Sequence, residues 1–166
     1  MKTTNLFCIL FGIALFFSSC GPSIKVEVDN ESEKKVEEMS YDSVLAQKLG
    51  ADEYGMKKYV MAFLKTGPNQ EQDSVKAAEL QRAHLDNIFR LADEGKLALA
   101  GPFLDGGDLR GVYIFNVETV EEAKALTETD PAIKAGRFIM ELHPWYGSAA
   151  ACMITEQHKR LAKKTI

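Results

Sequence analysis

The chain is expected to fold as an α+β ferredoxin-like sandwich, one antiparallel sheet carrying two helices on one face. Three observations predict it. Strand-like and helix-like stretches follow in the order β-α-β-β-α-β between residues 57 and 146, which is the split βαβ arrangement. The first strand contains YVMAFL, Tyr59 to Leu64, a continuous apolar run suited to a central strand covered on both faces. The first helix carries Ala77, Leu80, His84, Ile88 and Leu91 at spacings of three and four, a single stripe that one sheet face can bury.

The elements follow from local chemistry. Lys58 to Lys65 is the first strand, and Thr66-Gly67-Pro68-Asn69 is the turn after it. A helix runs from about Gln72 to Glu94, with Leu85 and Ala92 widening its stripe and Gly95 as its stop. Leu97 to Phe103 is the second strand. Asp105-Gly106-Gly107-Asp108 then forms a loop to the third strand, Gly111 to Val117. Thr119 and Glu122 have capping-box spacing at the start of a helix reaching about Glu128. Asp130-Pro131 opens a short helical turn, Asp as N-cap and Pro at the first position, and Gly136 ends it. Arg137 to His143 is the fourth strand, with Phe138, Met140 and Leu142 on one side and Pro144 expected to stop it. A helical tail, Ala149 to Lys163, is basic at its end. Two helices on one face leave the other sheet face in need of cover, for which a second copy of the chain is the usual solution.

Ahead of the domain lies a targeting pattern. Lys2 is followed by an apolar run, Leu6 to Phe17, broken only by Gly12 and too short to span a membrane. It ends in Phe17-Ser18-Ser19-Cys20-Gly21, which resembles the lipobox of bacterial lipoproteins. That resemblance implies removal of residues 1–19, acylation of Cys20 and a membrane-anchored lipoprotein in the cell envelope, facing the periplasm or exterior. Each acyl methylene would add about 0.8 kcal/mol of anchoring. A plain secretory signal with an incidental cysteine is the alternative. Residues 20–56, including the charged stretch DNESEKKVEE, read as a flexible tether with a short helix around Val44, Leu45 and Leu49 closed by Gly50. Cys8 falls in the signal, so Cys152 is the one thiol left to the mature chain and no intrachain disulfide can form.

Composition narrows the function classes. Net charge is −4, and no Lys/Arg stripe with interleaved aromatics appears, so nucleic-acid binding has no electrostatic footprint. There is no CxxC or Cys/His zinc spacing, phosphate loop or dinucleotide fingerprint, and neither metal nor cofactor is expected. His84 is the residue that invites chemistry. Histidine ordinarily titrates near 6.5, suited to a general acid or base, but on an apolar helix face its nitrogens need partners. A core histidine satisfied by a backbone carbonyl is the competing reading. Asp130 explains itself as a helix cap, yet one carboxylate oxygen can cap while the other faces a cleft shared with His84. There it would fix one ring nitrogen and leave the other free to take a proton. Gly101 and Pro102 sit at a strand end where backbone can approach a ligand closely. Arg110, with Asp105 and Asp108, belongs to a charged hairpin that can touch a polar substrate or simply be solvated. His143 and Trp145 bracket Pro144 and can line a pocket rim or anchor the tail.

Four stretches together, YVMAFL, AHLDNIFRLADEGKL, AGPF and TDPAIKAGRFIMELHPW, resemble the YciI-like proteins, the YCII-related domain of the dimeric α/β-barrel superfamily. The resemblance runs from Tyr59 to Tyr146. It implies a homodimer joined through the open sheet face and a small lyase- or isomerase-like enzyme with a His-Asp pair. Here that pair is His84 and Asp130, with Gly101, Pro102, Arg110 and His143 as candidate substrate contacts. Some members of the family act on chlorinated aromatic ring compounds and others serve as accessory domains. A small organic, ring-like substrate is therefore one expectation, and a non-catalytic ligand-binding or structural dimer is the other. The signal, acidic tether and tail depart from the simplest members.

Overall fold

The computed structural model describes residues 40–164. The expected signal, Cys20 and the first part of the expected tether lie outside the described residues. The chain enters through α1 (Ser43–Leu49), capped by Asp42 and closed by Gly50 in the left-handed conformation. Then come β1 (Met56–Thr66), α2 (Ser74–Asp93), β2 (Leu97–Pro102), β3 (Leu109–Phe115), α3 (Val120–Thr127), α4 (Pro131–Lys134) and β4 (Phe138–Ser148). A 3-10 turn, Ala149–Met153, leads into α5 (Ile154–Leu161). The sheet has the order β2-β3-β1-β4 with every neighbouring pair antiparallel. This is the ferredoxin-like sandwich, each helical crossover skipping one strand.

Register sorts the side chains. Val60, Ala62 and Leu64 pair across to Pro144, Leu142 and Met140 on one side and to Phe115, Tyr113 and Gly111 on the other. Opposed residues share a face. This face meets α2 through Leu80 and Leu91, and Phe115, Ala123, Ala132 and Phe138 complete the main core. The capping box of α3 forms as its spacing predicts, Thr119 and Glu122 each accepting from the other's backbone.

The fourth strand does not stop at Pro144. It continues to Ser148, with Pro144 opposite Val60. β4 is an edge strand, with one side free of partners, and there a missing N–H costs no ladder bond. Beyond Pro144, the Trp145 indole folds over Gly147, where any Cβ would collide with the ring. That lays Trp145 against Tyr59, ring centroids 5.5 Å apart.

The second sheet face is partly covered by the chain itself. Tyr59, Ala98 and Ile114 form a small cluster with Trp145, Ala151 and Cys152 of the tail. The buried Tyr59 hydroxyl donates to the Ser148 carbonyl at 2.9 Å. Toward the far end of β1 the same face carries Phe63, Val112, Ile139 and His143, which remain half-buried or exposed. Only part of this face is therefore left open to a second copy.

The entry to β1 is clipped by one carboxylate. Asp52 accepts from the amides of Tyr54 and Met56 at 2.9 and 3.0 Å and from the Tyr146 hydroxyl. These donors, Tyr146 first, hold its carboxyl below the usual 3.8. A lowered folded-state value means the clip is intact above the ordinary carboxylate range and is lost as pH falls through the lowered one. Amide shifts of Tyr54 and Met56 are expected to stay flat down to about pH 4 and to move only below it. Titration at the ordinary value would show that no clip holds in solution.

Candidate active site

His84 lies midway along α2, on the face turned to the sheet, and is 4% exposed. Asp130 lies between α3 and α4 and is 2% exposed. The Asp-Pro sequence explains its placement. Pro131 starts α4 with a preset φ, and Asp130 Oδ1 accepts the Ala132 amide at 2.8 Å as its cap. The second oxygen, Oδ2, lies 2.6 Å from His84 Nδ1. One carboxylate thus serves backbone and imidazole together. An ionised carboxylate can only accept, so opposite one, Nδ1 is the donor, and in the neutral ring Nε2 is then the acceptor.

That second nitrogen is not free. The Tyr113 hydroxyl lies 3.1 Å from Nε2 and donates to it when the ring is neutral with its proton on Nδ1. Tyr113 comes from the middle of β3, opposite Ala62 and Ala100, two small residues flanking it on the α2 side of the sheet. Burial, and then the Asp130 charge, push its phenol well above the ordinary tyrosine value, so it stays protonated as a donor. Phe115 stacks on Tyr113 with centroids 5.7 Å apart, and the Phe138 ring lies 5.1 Å from that of His84. The result is a chain of three buried polar groups, Asp130–His84–Tyr113, closed over by aromatic rings.

A second set of contacts holds the Asp130 segment to α2. Arg90 Nη2 donates to Asn87 Oδ1 at 2.8 Å and to Thr129 Oγ1 at 2.9 Å. Thr129 is the residue before Asp130, so this tie fixes the approach of the carboxylate. Sequence reasoning missed Tyr113, Asn87 and Arg90. Tyr113 did carry a signal: it alternates with Phe115 on the buried side of a strand, where a phenol needs a partner. Asn87 and Arg90 carried none, being polar residues on a long helix.

The other candidates lie elsewhere. Gly101 and Pro102 pair with Val112 and Gly111 at the sheet edge. The close backbone approach there is between strands, since a Cβ on Gly111 would come 2.7 Å from the Gly101 carbonyl oxygen. Arg110 is exposed and donates to the Gly107 carbonyl of its own hairpin. His143 is on the opposite sheet face, opposite Met61, with Nε2 2.9 Å from Glu141 Oε1. A cavity of about 490 Å³ opens near the start of β1, among Lys57, Lys58, Lys96 and Glu122, and shares no residue with the buried trio. His84 and Asp130 do meet between sheet and helix as expected, but in a packed layer. Among the described residues no three His, Cys, Asp or Glu side chains converge as a metal centre needs, and no helix is long and apolar enough to cross a membrane.

Residues 59–146, slightly more than half the chain, match the family model described as YCII-related domain. Among solved structures, the 5-chloro-2-hydroxyhydroquinone dehydrochlorinase of Burkholderia phenoliruptrix AC1100, in complex with 2,5-dihydroxybenzoquinone, is 26% identical. That match covers 52% of this chain and 92% of the other, with a TM-score of 0.41. No curated protein matches the chain significantly.

Proposed function

The chain belongs to the YCII-related domain family, and from that premise we propose that it is a small cofactor-free acid/base enzyme acting on a small organic substrate. The observation that carries the reading is the 2.6 Å contact between His84 Nδ1 and Asp130 Oδ2, buried at both ends. Asp130 fixes the tautomer and stabilises the imidazolium once formed. His84 Nε2 is then the base. In the closed layer Tyr113 covers that nitrogen, and an entering substrate displaces the hydroxyl. The proton taken from the substrate rests on Nε2, and returning it to another substrate atom gives an isomerisation, while loss of a leaving group gives an elimination.

Proton exchange tests this without the product being identified. Full-length protein is incubated in D₂O with a panel of cyclic and acyclic carbon acids, and carbon-bound proton exchange is followed by NMR. Exchange of at least one class is expected, falling about 10²–10⁴-fold in His84→Asn. Exchange unaffected by that substitution sinks the reading. A second reading, a binding or structural module without catalysis, is favoured by one specific observation: both His84 nitrogens already have partners and the ring is buried. No exchange anywhere in the panel supports it.

The proposed partner is a second copy covering the Phe63–Ile139 end of the sheet face. Ile139 is 46% exposed there, and Ile139→Lys is expected to turn a dimer into a monomer by light scattering at micromolar concentration. A wild-type monomer would remove the dimer from the proposal. The proposed address is the cell envelope, through acylation of Cys20. Incorporation of labelled fatty acid, abolished in Cys20→Ala, is the expected result, and a soluble chain retaining residues 1–19 would refute it.

A further inference from the structure

We propose that Arg137 is the anion-recognition residue of the His84 site, and that the substrate is a small organic anion presenting a carboxylate or enolate oxygen to it. This inference rests on the acid/base reading above and narrows its substrate class.

Arg137 immediately precedes β4 and its backbone is pinned from three sides. Its carbonyl accepts from the Gly67 amide at 2.9 Å and from Gln70 Nε2 at 2.8 Å, and its own amide donates to Ala132 at 3.0 Å. Among the described residues its guanidinium is held only by neutral groups. Nη1 donates to Gln72 Oε1 at 3.0 Å, and Cζ lies 5.8 Å from the centre of the Phe138 ring. The Nε–H is buried with no acceptor among the described residues. Arg82 and Arg90, by contrast, each sit against a carboxylate, whereas no carboxylate among the described residues pairs with Arg137.

A buried donor without an acceptor is costly to a fold, and an arginine placed so asks for an oxygen from outside the chain. Nε is one half of the side edge of the guanidinium, the edge that takes a carboxylate in bidentate fashion. The location gives this functional sense. Phe138 is the ring shared by the two groups, 5.8 Å from Arg137 Cζ and 5.1 Å from the His84 ring. An anion held by Arg137 therefore lies one aromatic ring from the proposed base. A negative substrate oxygen there would also stabilise the imidazolium formed when His84 takes a proton, since opposite charges attract strongly in a low-dielectric layer.

Benzoate and benzamide test the idea, having the same shape and differing in charge. Binding to the full-length protein is followed through the ¹⁵N signals of the His84 imidazole. Benzoate is expected to bind and move those signals, at least about tenfold more tightly than benzamide, as one charge-assisted bond allows. Arg137→Gln should abolish that preference, and Arg137→Lys should retain part of it, with amide spectra confirming both folds. Equal binding of the two probes, no benzoate binding, unchanged affinity in Arg137→Gln, or binding that leaves His84 unmoved each overturns the proposal. His84→Asn separates the two ideas. Arg137-dependent benzoate binding that survives it, without proton exchange in wild type, keeps the anion site and removes the enzyme.

Discussion

Asp130→Ala is expected to destabilise the domain by roughly 2–4 kcal/mol, combining a lost helix cap with a buried imidazole donor left unpaired. The carboxylate makes both bonds at once, 2.8 Å to the Ala132 amide and 2.6 Å to His84 Nδ1. Asp130→Asn keeps an oxygen for the cap and should lose about half as much. Urea unfolding measures this as a fall in midpoint with unchanged slope. The pair is also expected to be non-additive. In an Asp130→Ala background, His84→Leu should cost less than in wild type, because the donor it removes is already orphaned. Additive losses would mean that the two residues do not interact in solution.

Phe115→Ala should cost roughly 3–5 kcal/mol, the range for emptying a buried phenylalanine site. Phe115 is fully buried at the end of β3, pairs with Val60 and stacks on Tyr113. The void would therefore open beside the phenol that covers His84 Nε2. Phe115→Leu refills most of the volume and is expected to cost less than about 1.5 kcal/mol. Thermal and urea unfolding give the stabilities, and the His84 ¹⁵N signals report whether Tyr113 has shifted. Equal stability of Phe115→Ala and wild type would put Phe115 outside the core.

Much of the architecture was legible because it depends on short-range chemistry. The Thr119–Glu122 box, the Asp130-Pro131 start and the Leu80–Leu91 stripe each state their geometry locally. Pro144 misled because proline is read as a stop, and only the strand order shows that its strand has a free edge. The tail's docking on Tyr59 was equally hidden, since Ala151 and Cys152 carry no pattern that names a partner. For the site, the pairing of His84 with Asp130 rested on the family resemblance together with helix facing. Tyr113 could not be placed against Nε2 without the register of β3 on β1, which brings its phenol opposite Ala62. Arg137 was legible only as the first residue of a strand, and its unmatched Nε appears only when every neighbour is in place.

The shared carboxylate of Asp130 ties the fold to half of the proposed chemistry. A descendant of this chain without that chemistry would still be held to a capping side chain there, aspartate or asparagine, because α4 begins on it. His84 and Arg137 would be under no such obligation. Once the carboxylate had given way to a neutral cap, His84 could drift to leucine without stranding a buried charge, and Arg137 could drift to any residue that relieves its stranded donor. A capping residue at position 130 in a relative is therefore a statement about architecture, and the proposed site is diagnosed by the other two.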